Sequence, residues 1–249
     1  MRLILESMLQ GVRYDLHDPY LGDLAVTTLR LGSEATLIAM ILGLPAACAI
    51  GLGRSRVSRR SLVIANAGLG LPSVAVGVYF VLLVPGNATA PWGGKWIDGL
   101  SGMVAAQVVL SLPIIVAVSA VAIRGLPDGL IDQAIAYGAS GWRLWLFALR
   151  EAKLGVITAV IFAVGAAFGE VGAVTLISGQ SPTTTTLATQ VILDLNGNTT
   201  SVVPAMVGHT LVLLGLMMIL GLILLMVQRS GGRSRRRYPI SMSPLEEVA

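Results

Sequence analysis

Five long apolar blocks separated by polar segments dominate the chain, at residues 24–52, 61–84, 99–123, 154–179 and 202–227. Each is long enough to cross the hydrocarbon of a bilayer, which takes about 20 mostly apolar residues in a helix. None alternates apolar and polar positions as a barrel strand does. In lipid the remaining way to satisfy every backbone N–H and C=O is a helix. The pattern predicts an all-α, polytopic membrane protein with about five transmembrane helices. It divides the chain into an N-terminal segment 1–23, a transmembrane domain 24–228 interrupted by a long loop at 125–153, and a tail 229–249. In the first segment Leu5, Met8, Leu9 and Val12 recur at helical spacing opposite Arg2, Glu6 and Arg13. That pattern fits an amphipathic helix on the membrane surface or a frayed terminus. Glu6 and Gln10 interrupt the apolar run that a signal peptide needs.

Composition agrees, with 55% hydrophobic and 12% charged residues and a mean hydropathy of +0.81. A soluble domain carries about 25% charged residues. The charges add an orientation. Arg54, Arg56, Arg59 and Arg60 follow the first block; Arg124, Arg143, Arg150 and Lys153 follow the third; Arg229, Arg233, Arg235, Arg236 and Arg237 follow the fifth. The opposite side receives only Arg2, Arg13 and Lys95. Cytoplasmic loops are enriched in Lys and Arg, so the N-terminus is expected outside and the C-terminus in the cytoplasm. This asymmetry accounts for the pI near 9.6 without nucleic acid. The Arg233–Arg237 cluster is an expected contact for anionic lipid. The single Cys48, with only His17 and His209 beside it, offers no thiolate or histidine set for zinc or haem.

The loop at 125–153 is unlike the others. Pro127 and Asp128 mark a helix start, since Asp caps free N–H groups and Pro fits the first turn. Leu130, Ile131, Ala134 and Ile135 follow at helical spacing, Gly138 interrupts, and Trp142, Leu144, Trp145 and Phe147 open a second amphipathic stretch. Two short helices joined at a glycine make a knob. It either docks into a partner's groove or lies on lipid headgroups.

Asp132-Gln133-Ala134-x-x-x-Gly138 resembles the E-A-A-x-x-x-G loop of ABC importer permeases, with Gln133 standing at the family's first Ala. The text around it, Gly138-Ala139-Ser140-x-Trp142-Arg143 and Leu149-Arg150-Glu151-Ala152, is similar to the branch that carries tungstate, molybdate and sulfate. So are Phe168-Gly169-Glu170-Val171-Gly172-Ala173-Val174 and Gly70-Leu71-Pro72-Ser73-Val74-Ala75-Val76-Gly77, in matching order along residues 24–228. The nearest likeness is to the tungstate-type permease. The resemblance implies a type I importer fold in a bacterial inner membrane and a homodimer with the pathway along its axis. It also implies two ATPase subunits and an external substrate-binding protein that delivers the oxyanion. Asp132, Gln133, Ala134, Gly138, Ala139 and Ser140 would then couple to the ATPase. Pro72, Ser73, Gly169, Glu170 and Gly172 are the candidates for the translocation path or gate.

A carboxylate inside a span is costly unless paired or wet, so Glu170 is expected inside the bundle. It serves there as a gate or packing contact, or as a carboxylate bonded to a neighbouring helix; repulsion makes it a poor ligand for an oxyanion. Gly165-x-x-x-Gly169 with Gly172 and Ala173 gives the fourth block a thin face for helix packing, at the subunit interface or within the chain. Pro72 is expected to kink the second block and Pro45 the first. Arg30 and Glu34 are spaced as an i,i+4 ion pair. The Thr183–Thr186 run is a binding-protein contact, a pore mouth or solvated loop. Two sequons, at Asn87 and Asn198, are chance matches.

No phosphate-binding loop, dinucleotide fingerprint, H-E-x-x-H or Ser–His–Asp set is present. The chain is therefore expected to be a transport subunit with no cofactor of its own, ATP and Mg being bound by the partner ATPase. A lipid-modifying membrane enzyme would need an interfacial cluster of Asp, His or Glu. A secondary transporter would show an inverted repeat and more ionisable groups within its spans.

Overall fold

The computed structural model of the chain describes residues 6, 10, 11, 20–83, 99–178, 184–196 and 202–235, with only the backbone for residues 128, 202 and 230–235. All regular structure among these residues is helical. In chain order the helices are α1 (Leu21–Leu52), α2 (Arg56–Gly68), α3 (Ser73–Leu83), α4 (Leu100–Arg124) and α5 (Asp128–Ala136). They continue with α6 (Trp142–Glu151), α7 (Lys153–Phe168), α8 (Gly172–Ser178), α9 (Leu187–Asn196) and α10 (Val202–Arg235). Three segments, α1, α4 and Val203–Arg229 of α10, are each long and apolar enough to cross a membrane. Two bent pairs, α2 with α3 and α6 with α7, reach that measure only together, so the described chain has three to five candidate crossings.

Two of the apolar blocks are broken. The block at 61–84 bends by 93° between α2 and α3, far more than a proline kink in a continuous helix. The local cause is legible. Leu69, Gly70 and Leu71 donate their N–H groups only three residues back, to Asn66, Ala67 and Gly68, which tightens the last turn of α2. Pro72 then has no N–H to continue the ladder and pushes Leu71 out of the helical region. The block at 154–179 is also two helices, α7 and α8, separated by Gly169–Val171. With 16 residues, α7 is about 24 Å long. That is short of the ~30 Å hydrocarbon core, so α7 alone does not span it. Pro45, by contrast, sits inside an uninterrupted α1.

The segment at 179–201 is not simply a loop. It contains α9, and Thr184, Thr185 and Thr186 are buried rather than solvated; Thr183 lies outside the described residues. A reciprocal cap explains the helix: Thr186 N–H donates to Thr189 Oγ1 at 2.8 Å, and Thr189 N–H to Thr186 Oγ1 at 3.3 Å. The next free donor, Leu187 N–H, is taken by Thr28 Oγ1 of α1 at 2.9 Å. At the far end α10 continues as helix to Arg235, into the segment read as tail, and 236–249 lie outside the described residues. The N-terminal amphipathic pattern also lies outside them apart from Glu6, Gln10 and Gly11. Gly11 is buried against Val207 and Gly208 of α10.

Helix α4 is the hub. It packs most extensively on α1 and also contacts α2, α3, α6, α7 and α8. Small residues are prominent in the buried interior: Ala35, Ala39, Ala47, Ala159, Ala163 and Ala173 are all fully buried. Lipid tails are as apolar as leucine, so helices in a membrane gain by close backbone approach rather than by large side chains. Many large apolar residues point outward, among them Ile41 on α1 and Met218, Ile219 and Met226 on α10, while Leu31, Met103 and Ile115 stay inside.

Candidate functional site

The knob at 125–153 is built from α5, a tight turn and α6. Helix α5 begins at Asp128 with Pro127 in the capping position and no side-chain cap. Its C-terminus is closed by a Schellman turn: Ala139 N–H donates to Ala134 O and Gly138 N–H to Ile135 O, both at 2.9 Å. This turn places the residue after the cap in the left-handed region, and Gly138 has φ +86°. A side chain at Gly138 would meet nothing within 4 Å, so backbone conformation alone calls for glycine. A second positive φ, +54° at Gly141, redirects the chain into α6.

The apolar stripe of α5 divides. Ala134 is buried, and Ile131 packs into a cluster with Cys48 of α1, Ile123 of α4 and Ala148 of α6. Ile135 and Tyr137 face outward, Tyr137 at 92% exposure, together with Trp142, Trp145 and Leu146. Asp132, Gln133, Gly138 and Ser140 are exposed beside them, while Ala139 is half-buried. One face therefore roots the knob on the ends of α1 and α4, and the other presents aromatic and aliphatic surface around a rigid turn. Arg54 Nη2 lies 3.5 Å from Asp132 Oδ1, an exposed ion pair joining the α1–α2 turn to α5.

Two of the candidate path residues, Ser73 and Gly172, meet where the two broken blocks pack on each other. Helices α3 and α8 pack directly on each other. A Cβ at Gly172 would lie 2.6 Å from Ser73 Oγ, and one at Gly77 would lie 2.8 Å from Ala173 Cα. Ser73 and Gly172 are thus brought together, with Pro72 and Glu170 at the breaks that precede them. Glu170 Oε1 accepts the N–H of Ala173 at 3.0 Å, so this half-buried carboxylate closes the start of α8. A carboxylate there also meets the positive end of the helix dipole. Non-helical backbone at membrane depth is tolerated where it is enclosed by protein or lines a wet cavity. Two such breaks side by side mark the part of the fold least like a passive anchor. Gly165 and Gly169 do not make a tight helix contact: a Cβ at either would meet Met217 of α10 no closer than 4.0 and 3.5 Å.

One polar cluster was not anticipated from the sequence. His209 Nδ1 of α10 lies 2.8 Å from Asp194 Oδ2 of α9, and Gln190 Nε2 donates to Asp194 Oδ1 at 2.8 Å. The available signal was Gln190 and Asp194 at i,i+4 together with a lone histidine in an apolar helix. Arg30 and Glu34 do form their pair, Nε to Oε1 at 2.7 Å, with both side chains well exposed. Such a pair contributes little stability. Among the described residues no group of three His, Cys, Asp or Glu side chains is placed to hold a metal ion.

Comparison with known proteins gives this geometry a family. The model of the binding-protein-dependent transport system inner membrane component matches residues 39–231. A probable anion ABC transporter permease protein of Haloferax volcanii is 32% identical over 67% of this chain and 71% of its own length. The molybdenum transport system permease protein ModB of Azotobacter vinelandii is 29% identical over 66% of this chain and 76% of its own. The molybdate/tungstate transport system permease protein WtpB of Thermococcus kodakarensis is 26% identical over 66% and 63%. Among solved structures, an inward-facing MetNI methionine ABC transporter matches with TM-score 0.69 and 18% identity, covering 86% of this chain and 98% of the solved one. At that identity the likeness carries the fold, and the fold agrees with the family model. The chain belongs to the family of binding-protein-dependent transport system inner membrane components, the multi-pass permease subunits of ABC importers, which transport rather than catalyse.

Proposed function

We propose that this chain forms the membrane path of an oxyanion importer, with tungstate as the first-choice cargo and molybdate or sulfate as the alternatives. Relatives named for anion, molybdenum and molybdate/tungstate transport support the class. In this reading two copies assemble around a shared path, each N-terminus faces outward, and an external binding protein supplies the anion. Two ATPase subunits hold ATP and Mg and grip the knobs. Residues 132–134 and 138–140 form the coupling surface. The crossing of α3 and α8 at Pro72, Ser73, Gly169, Glu170 and Gly172 forms the gate.

The observation that carries the coupling role is the Schellman turn at Gly138, which fixes an exposed Ile135–Tyr137–Trp142 surface on a rooted base. A rigid apolar knob suits transmission of force to a partner better than a flexible loop does. Glu170 acts here by positioning α8, since a carboxylate repels an oxyanion at close range. Selectivity then rests mainly with the binding protein.

The test is binding-protein-dependent uptake into vesicles holding the reconstituted complex, with tungstate, molybdate and sulfate supplied separately. ATP-dependent uptake of tungstate at the lowest concentration supports the reading. Uptake of none of the three, with the ATPase assembled, rejects it.

A further inference from the structure

Beside the root of α5 lies a cavity of about 370 Å³, at the meeting of the α1–α2 turn, the end of α4 and the start of α5. Three arginines line it, Arg54, Arg59 and Arg124, against an apolar wall of Ile123, Leu126 and Ile131. Among the described carboxylates, Asp132 alone pairs with one of these arginines, Arg54, at 3.5 Å with both side chains largely in solvent. That contact is too long and too wet to neutralise the cavity. Arg124 is held by neutral acceptors: its Nη2 donates to Ile50 O at 3.1 Å and to Ser58 Oγ at 2.8 Å. Its Nε donates weakly to Ile50 O at 3.4 Å. The guanidinium is thereby fixed in direction, and among the described residues no carboxylate pairs with it and its Nη1 has no hydrogen-bond partner. The Arg59 guanidinium likewise has none among them.

Positive residues at the ends of spans ordinarily point to solvent and headgroups. Here three converge on one open cleft, one of them pre-oriented, with an apolar wall on one side that strengthens a charge placed against it. We propose that this cavity binds one tetrahedral oxyanion, as a free inorganic ion or as the phosphate of an anionic lipid headgroup. Guanidinium groups are suited to it because their paired N–H donors match the spacing of phosphate-like oxygens. An anion there would draw Arg54 from Asp132 and so act on α5 directly. The site is independent of which anion crosses the membrane.

The experiment uses the purified permease–ATPase complex in nanodiscs and reads its unfolding temperature. In one arm the lipid is phosphatidylcholine alone and sodium phosphate or sodium tungstate is compared with sodium chloride at equal ionic strength. In the other, phosphatidylglycerol is added and free oxyanion is omitted. A rise in the first arm assigns a free ion, and a rise in the second assigns a lipid phosphate. In either case Arg59→Gln should abolish the rise and Arg54→Gln reduce it, each lost guanidinium weakening binding about tenfold or more. These two side chains carry none of the bonds that hold Ile50 and Ser58, so the variants keep the fold. No rise in either arm, or an equal rise in wild type and Arg59→Gln, overturns the site. Uptake measured in parallel separates this result from failure of the transport reading, because Arg59→Gln is expected to leave the choice of cargo unchanged.

Discussion

His209 Nδ1 lies 2.8 Å from Asp194 Oδ2 across the α9–α10 contact, with side-chain exposures of only 2% and 11%. The second carboxylate oxygen takes the Gln190 amide, so Asp194 fastens two donors at once. Asp194→Ala removes the carboxylate that both groups bond and is expected to lower stability by about 1–3 kcal/mol. Asp194→Asn keeps one acceptor and should lose less. Thermal unfolding of the detergent-solubilised complex measures the order. Equal stability of Asp194→Ala and wild type would show that the cluster contributes nothing.

Gly138 carries a conformational requirement without a spatial one. Gly138→Ala is expected to destabilise the turn by about 1–2 kcal/mol, because an L side chain is disfavoured at φ +86°. Gly138→Asn should be milder, since Asn enters the left-handed region more readily. The readout is ATPase co-purification and binding-protein-stimulated hydrolysis. Both should fall for Ala more than for Asn, with the spans still folded.

At the α3–α8 crossing the constraint is space. A Cβ at Gly172 meets Ser73 Oγ at 2.6 Å and Val74 Cγ2 at 2.8 Å. Gly172→Ala is therefore expected to cost about 1–3 kcal/mol by overpacking. Ser73→Gly in that background should recover part of the loss, because it removes the closest obstacle. A double-mutant cycle on unfolding temperature and uptake tests the coupling, and strict additivity would contradict the contact.

Glu170→Ala removes the acceptor for Ala173 N–H and is expected to loosen the start of α8 by about 1 kcal/mol. Glu170→Gln retains a carbonyl oxygen and should keep most of that stability. Uptake that fails in Gln as completely as in Ala would mean that the charge itself matters. Hydrogen exchange at Ala173 distinguishes the cap from the charge.

Cys48 reports on the root of the knob. It is fully buried among Ile123, Ala148 and Ala152. In the folded complex it should react with maleimide far more slowly than in detergent-denatured chain. Ala148→Phe, which forces a ring into a fully buried position, should speed the reaction by lifting α6. Fast labelling of wild type would show that α6 is not seated as described.

Much of this was readable in the residues. Apolar length marked α1, α4 and α10, and Gly138 with its flanking stripes marked the α5–α6 turn. What escaped was anything decided by contacts between distant segments. Helix α9 is half polar and reads as loop; it is held by the Thr28 hydroxyl, more than 150 residues away, and by the Asp194–His209 bond. Glu170 looked like a burdensome carboxylate within one span, yet it closes a new helix after a three-residue gap. The 93° bend at Pro72 exceeds what one missing hydrogen bond dictates, since the direction of α3 is set by its packing on α8. The gathering of Arg54, Arg59 and Arg124 around one cavity was hidden by an ordinary charge bias.

The junction between α6 and α7 is a single residue, Ala152, bent through 82° and locked with Ala148 in the same buried cluster. Two stiff rods joined at a fixed elbow form a bell crank. If the knob couples to an ATPase as proposed, a tug on it has no soft joint in which to dissipate and would leave the elbow as a swing of α7. The far end of that swing is the gap at Gly169–Val171, where α8 meets α3. Lengthening the elbow with inserted glycines would turn the crank into a hinge: ATP hydrolysis would continue while uptake stopped.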